Sequence, residues 1–150
     1  SATQAPVRGV DDGKGAGMKW LFLILSFIAL PWPVAAEGLT VPSGQLVLPY
    51  EALWEDHLTE GANGETWLIL RFLTPEIARA EGRISFGDAE PDIIYLCQKV
   101  GLPLVALTGG GVDQIIVNLM DRPVVRGQRD PASTQFMNAY RVDHGDCIWE

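Results

Sequence analysis

The chain has 150 residues, 47% of them hydrophobic, and a formal net charge of −8, which is enough apolar material for one core and no more. That acidity excludes non-specific nucleic-acid binding, which rests on Lys and Arg releasing phosphate counterions, and it disfavours an anionic membrane surface for the same reason. With two cysteines about fifty residues apart, the zinc and thioredoxin spacings are excluded as well.

Residues 1–17 contain Gly9, Gly13, Gly15 and Gly17 and hardly any large apolar side chain. They cannot build a core and are expected to be an upstream tail that is not native. Met18-Lys19 then gives a short positive start, and Trp20 to Leu30 is an uninterrupted apolar run closed by Pro31 and Pro33. Val34-Ala35-Ala36 supplies the small side chains that a signal peptidase accepts. Residues 18–36 are therefore expected to be a secretory signal peptide cleaved after Ala36, with residues 37–150 a single periplasmic domain. A retained anchor would need ~20 apolar residues, about twice this run. No cysteine sits at the cut, where Glu37 stands, so no lipid anchor is expected. From Glu37 onward 17 acidic residues face 8 basic ones, a net charge of −9 with both histidines neutral.

Gln45 to Tyr50 is β-prone, and Pro49 suggests an edge position; Glu51 to His57 either extends this strand or forms a helical turn. Gly61-Ala-Asn-Gly64 reads as a turn before Thr66 to Leu73, the most strand-like run in the chain, and the two strands are expected to pair as an antiparallel hairpin. Thr74-Pro75 predicts a short helix to Arg79, and Arg83 to Phe86 a brief strand. The main helix is expected to begin at Asp88, with Pro91 tolerated in its first turn, and to run to Val100, stopped by Gly101. Ile93, Leu96, Cys97 and Val100 share one face of it. Gln114 to Met120 reads as a strand. Asp130-Pro131 predicts a short helix over 132–138, and Tyr140 to Val142 leads through the Asp143-His-Gly-Asp146 turn to Cys147-Ile-Trp149. The fold class is α+β, a small antiparallel sheet packed with one main helix (about residues 89–100) and one or two short helices.

In an exported chain two cysteines allow one intramolecular pairing, so a Cys97–Cys147 disulfide is expected. It would clamp the main helix to the last strand and stabilise by ~4 kcal/mol in the chain-entropy model. Thr108-Gly-Gly-Gly-Val-Asp113 lacks the lysine and hydroxyl of a phosphate loop and reads as a connection. Asp143-His144-Gly145-Asp146 combines an imidazole with two carboxylates, yet a tight turn uses the same residues, so no metal site and no cofactor are expected. His57, beside Glu55 and Asp56, is read as part of a solvated face, as are Glu51 and Glu60. Arg122, Arg126 and Arg129 interrupt the acidity in a Pro- and Gly-containing stretch where an anion or an acidic partner loop could dock. Trp67 and Trp149 are read as core, and Trp54, flanked by charge, as a partner contact.

Asp121-Arg-Pro-Val124, Asp130-Pro-Ala-Ser-Thr-Gln-Phe136, Ala139-Tyr-Arg141 and Cys147-Ile-Trp-Glu150, with Leu53-Trp54-Glu55 and the stretch from Tyr95 to Pro103, resemble a family of short exported alphaproteobacterial proteins of unknown function. The resemblance spans most of the mature chain and implies no activity. Members of that family are sometimes labelled acetolactate synthase, an activity not expected here. That enzyme is cytosolic, multidomain and several times longer, with a Gly-Asp-Gly cofactor motif of which Gly87-Asp88-Ala89 misses the second glycine.

The expected function is a non-catalytic periplasmic domain that binds a protein or envelope component through the Trp54 region or the Arg122 to Arg129 loop, with no catalytic residue assigned. The alternative is a small periplasmic hydrolase or lyase using a carboxylate or His144. It requires a pocket in which His144 or His57 meets a carboxylate.

Overall fold

A computed structural model describes residues 37–57 and 64–149. The tail and signal peptide expected over residues 1–36, and Gly61-Ala-Asn of the predicted turn, lie outside the described residues.

Among the described residues the chain forms one five-stranded sheet in the order β1 (Leu48–Asp56), β2 (Thr66–Leu73), β3 (Gln114–Met120), β4 (Gln135–Asp143) and β5 (Asp146–Trp149). β2 and β3 are mainly apolar and largely buried on both faces, as strands covered on both sides are, and they occupy interior positions. β1 and β2 pair antiparallel as expected, with a bulge between Pro49 and Glu51. β2 and β3 pair parallel, from Trp67 opposite Gln114 to Leu73 opposite Met120; the other pairs are antiparallel. The sheet is thus mostly antiparallel and the fold α+β, as expected, with this one parallel pair. The cause of that pair is the intervening helical segment, since parallel neighbours need a crossover connection and antiparallel ones do not.

That crossover carries α1 (Phe86–Leu96), a wider π turn over Cys97–Gly101, and α2 (Leu102–Leu107). The helix begins two residues earlier than predicted because Ser85, not Asp88, is its N-cap. The Ser85 hydroxyl accepts from the Asp88 N–H at 3.3 Å, and the Asp88 carboxylate accepts from the Ser85 N–H at 3.0 Å, the reciprocal pair of a capping box. Residues 83–85 are therefore lead-in to the cap, not a strand. Nor does Gly101 end the helix. Its role is close approach: a Cβ there would lie 3.0 Å from two Ile115 side-chain carbons and 3.3 Å from Leu70. The helical segment ends instead at Thr108, where Gly109, Gly110 and Gly111 take positive φ, a conformation that favours glycine.

The helix predicted over 132–138 is not formed. Asp130 closes one turn, accepting from the Ala132 N–H at 2.9 Å, and β4 then starts at Gln135 because its ladder with β3 claims the backbone. Thr74-Pro75 yields a 3₁₀ turn over Pro75–Ile77. The first strand starts at Leu48 and runs through Trp54 to Asp56, while Val47 makes only an isolated bridge to Leu39.

The core lies between the crossover and one sheet face. Ala89, Ile93, Leu96 and Cys97 pack against Leu68, Leu70, Phe72, Ile115, Val117, Leu119 and Tyr140, all buried; each large side chain taken from water stabilises by about 1.5–3 kcal/mol. The expected Cys97–Cys147 disulfide is present, with its Cα atoms 6.4 Å apart. The N-terminal segment is tied to α1 through the fully buried Asp92. Its carboxylate accepts from the Ser43 N–H at 2.8 Å, the Ser43 hydroxyl at 2.5 Å and the Gln45 amide at 2.6 Å, the partners a buried carboxylate requires.

On the opposite sheet face Ile69, Arg71, Asn118 and Met120 are also buried, beneath the connection between β3 and β4. Arg71 donates to Glu51 at 2.6 Å and to the Val124 carbonyl at 2.5 Å. No helix among the described residues is long and apolar enough to cross a membrane.

Candidate functional site

The arginines of the β3–β4 connection are largely engaged inside the molecule. Arg126 reaches β1 and donates to both carboxylate oxygens of Glu55, at 2.8 and 2.9 Å. This forked contact holds the Glu55 carboxyl below its usual range and raises the Arg126 guanidinium. Arg122 donates to the Asp121 side chain at 3.1 and 3.3 Å, which raises it in turn. Arg129 is exposed. Arg126 thus ties the connection to β1.

Trp54 lies on β1 opposite Leu68, on the helix-side face, and is 45% exposed. Trp67 is half-buried on the other face. Its indole N–H donates to Glu65 at 3.1 Å, and Glu65 also accepts from Gln114 at 3.1 Å and from Arg141 at 3.2 Å. The Trp67 indole first, and then the Arg141 guanidinium, hold the Glu65 carboxyl below its ordinary value.

The two histidines occupy different places. His57 packs on Trp67, ring centroids 4.1 Å apart, and its Nε2 lies 3.4 Å from the Glu55 carboxylate that Arg126 already clasps. His144 sits at positive φ in the β4–β5 turn. Its Nδ1 is 2.7 Å from Asp143, but the two side chains are 93% and 59% exposed. The strands that lead to them, β1 and β4, are three positions apart in the sheet, about 14 Å, so the histidines do not converge on one centre. Among the described residues no group of three or more His, Cys, Asp and Glu side chains is arranged to hold a metal.

Concavity is found elsewhere. A groove of about 460 Å³ runs between α1 and the sheet edge at β5, lined by Gly87, Glu90, Pro91 and Ile94 from the helix, Tyr140 from β4, and Cys147 and Trp149 from β5. Cys147 and Trp149 turn toward the helix because they pair with Val142 and Tyr140, and Tyr140 is opposite Ile115 on the core face. The disulfide to Cys97 anchors this strand, only four residues long, against the helical layer. Burial pushes the Tyr140 hydroxyl above its ordinary range, so at neutral pH it is a protonated donor and acceptor. Glu90 is the single charged side chain of the lining among the described residues.

Trp149, read from sequence as core, is 69% exposed: it stands on the last strand, where the groove is open. Among the described residues the groove contains no thiol, since Cys147 is oxidised, and no carboxylate pair. It offers apolar surface, one phenol and one carboxylate, a lining suited to holding a ligand. A larger hollow of about 550 Å³ near Arg79, Arg83 and Thr134 is more polar, but Arg79 donates to the Ser133 carbonyl at 3.1 Å and Arg83 to Glu76 at 2.7 Å.

Sequence reasoning passed over Gly87, Pro91, Ile94 and Tyr140. The available signal was the short final strand after a two-residue turn, which puts Cys147 and Trp149 at a sheet edge.

Residues 27–150 match the model of a family described as a family of unknown function, DUF6497. No curated protein and no solved structure matches the chain.

Proposed function

The chain belongs to DUF6497, a family of unknown function, and from that premise we propose that it is an exported, non-catalytic binding domain whose ligand surface is the groove between α1 and β5. One observation carries this reading: an open, mainly apolar groove of about 460 Å³ beside an edge strand, with Trp149 standing 69% exposed at its rim. An exposed indole beside an apolar concavity is the usual composition of a contact surface. Export is supported by the oxidised Cys97–Cys147 pair, since such pairs persist outside a reducing cytosol, and by the signal-like run from Met18 to Ala36. Trp54 is a second exposed aromatic, but it stands on the edge strand that Arg126 and Glu55 fasten, away from the groove.

Two measurements test the proposal. Intact mass of the protein recovered from its host's periplasm should begin at Glu37 and be about two daltons lighter before reduction, the hydrogens lost on pairing the thiols. A mass retaining residues 18–36, or free thiols, would overturn export. For the groove, indole serves as an apolar probe in an NMR titration. It should shift resonances of Ile94, Tyr140 and Trp149 and fail to do so in Trp149→Ala; shifts elsewhere, or none, would overturn the ligand surface.

A further inference from the structure

We infer that the occupant of this groove is an extended peptide segment bearing apolar side chains and a basic one, added to the sheet as a strand beside β5; the inference rests on the groove reading above. Strand geometry supplies the first argument. His144 and Gly145 both have positive φ, 50° and 77°, the conformation of a two-residue type I′ hairpin turn. In such a hairpin the flanking pair, here Asp143 opposite Asp146, exchanges ladder hydrogen bonds, and so does the next-but-one pair, Arg141 opposite Ile148. The backbone groups of Cys147 and Trp149 therefore face away from β4. Asp146 Oδ1 accepts from the Cys147 N–H at 2.9 Å. What remains at the edge is the Cys147 carbonyl and the N–H and carbonyl of Trp149, with no further strand beyond them among the described residues.

Side-chain direction is the second argument. Cys147 and Trp149 both point to the helix side, so an added strand would place alternate side chains between β5 and α1, where the groove is apolar. A helix flanking an unpaired edge is the arrangement in which main-chain pairing supplies affinity and the crevice supplies selectivity.

Charge is the third. Among the described residues Glu90 has no ion pair and is the only charged residue in the lining, on a chain of net charge −8. A lysine or arginine on the incoming segment would meet it. A second copy of this chain would instead bring acidic β5 edges and Glu90 together, and like charges oppose that. The β1 edge is not equivalent. Pro49 has no N–H to offer, the strand bulges at Pro49/Glu51, and Glu51 and Glu55 are already matched by Arg71 and Arg126.

The test is an NMR titration of the intact, oxidised chain with a blocked seven-residue peptide that has threonine at its odd positions and valine, lysine and valine at its even ones, so that the valines and the lysine share the face turned to the groove. The expected result is a shift of the Cys147 and Trp149 amides and of Ile94. N-methylation of alternate peptide amides should weaken binding by about tenfold, the loss of one or two edge hydrogen bonds. Glu90→Lys, or glutamate in place of the peptide's lysine, should weaken it roughly fivefold. Glu90 is exposed on α1, so its substitution leaves the fold intact. Equal binding by the N-methylated peptide, shifts at β1 in place of β5, or a dimer that occupies β5 and excludes the peptide would each overturn the inference. If indole shifts the groove and no peptide does, strand addition is wrong and the groove reading stands; if neither does, both fall.

Discussion

At one edge of the sheet β1 runs for nine residues, with Pro49 and a bulge near its start; at the other, β5 runs for four and is tied to the helical layer through Cys97 and Cys147. The long edge is guarded by shape and charge. Its two glutamates are met from within the fold by Arg71 and Arg126, and a proline and a bulge spoil the row of backbone groups that another strand would need. The short edge has neither a proline nor a bulge among its described residues. A covalent bond holds it, and its few outward groups border an apolar groove. A strand too short to be secured by its own ladder can still present a defined surface when a disulfide fixes it.

The largest effect should come from removing that bond. Reduction, or Cys97→Ser with Cys147→Ser, should cost about 4 kcal/mol for a loop of this length. Hydrogen exchange should show β5 losing protection before β1, and simultaneous loss at both edges would break the contrast. Next comes Arg71→Leu on the guarded side. The Arg71 side chain is 4% exposed and its partner Glu51 is 36% exposed, so the loss should be about 2–3 kcal/mol, somewhat under that of a fully buried pair. Denaturant unfolding should show this drop while indole still shifts Tyr140 and Trp149 in the folded protein.

Arg126→Gln should cost about 1 kcal/mol or less, as a largely solvent-facing pair. Its pH dependence has a definite sign. Because Glu55 holds its proton less tightly in the folded chain than in the unfolded one, the clasp contributes above the ordinary glutamate range and fades as pH falls through and below it. The wild-type stability curve should therefore fall more steeply on its acid side than that of Arg126→Gln, and identical acid limbs would deny the clasp a role. The smallest stability effects, within about 0.5 kcal/mol, are expected for Trp149→Ala and Trp54→Ala. These two sharpen the comparison most: the first should abolish probe binding and the second preserve it, and the reverse pattern would move the contact surface to β1.

Much of the architecture is legible in the order of the residues. Thr66 to Leu73 and Gln114 to Met120 are mainly apolar on both faces, which is the composition of interior strands. The helical spacing of Ile93, Leu96 and Cys97 points the cysteine inward, where its bridge is found. Local signals fail where a distant partner outweighs them. Asp130-Pro131 starts a turn that β3 does not let become a helix. Gly101 has the look of a stop signal, but its missing side chain serves the approach of helix to sheet.

The candidate site is barely legible. Its cysteine stands out for the bridge alone, Trp149 has the look of a core residue, and the remaining lining residues carry no motif. By itself the sequence determined what depends on neighbours along the chain: an acidic α+β domain, the strands Thr66 to Leu73 and Gln114 to Met120, the main helix and its inner face, and the β4–β5 turn. Only the tertiary structure decided the parallel pairing of β2 with β3, the internal matching of Arg126 with Glu55, and the groove. The physical reason is separation, for the groove joins residues 87–94 to residues 140–149, and which surfaces meet across such a distance is set by packing the whole core, not by any local pattern.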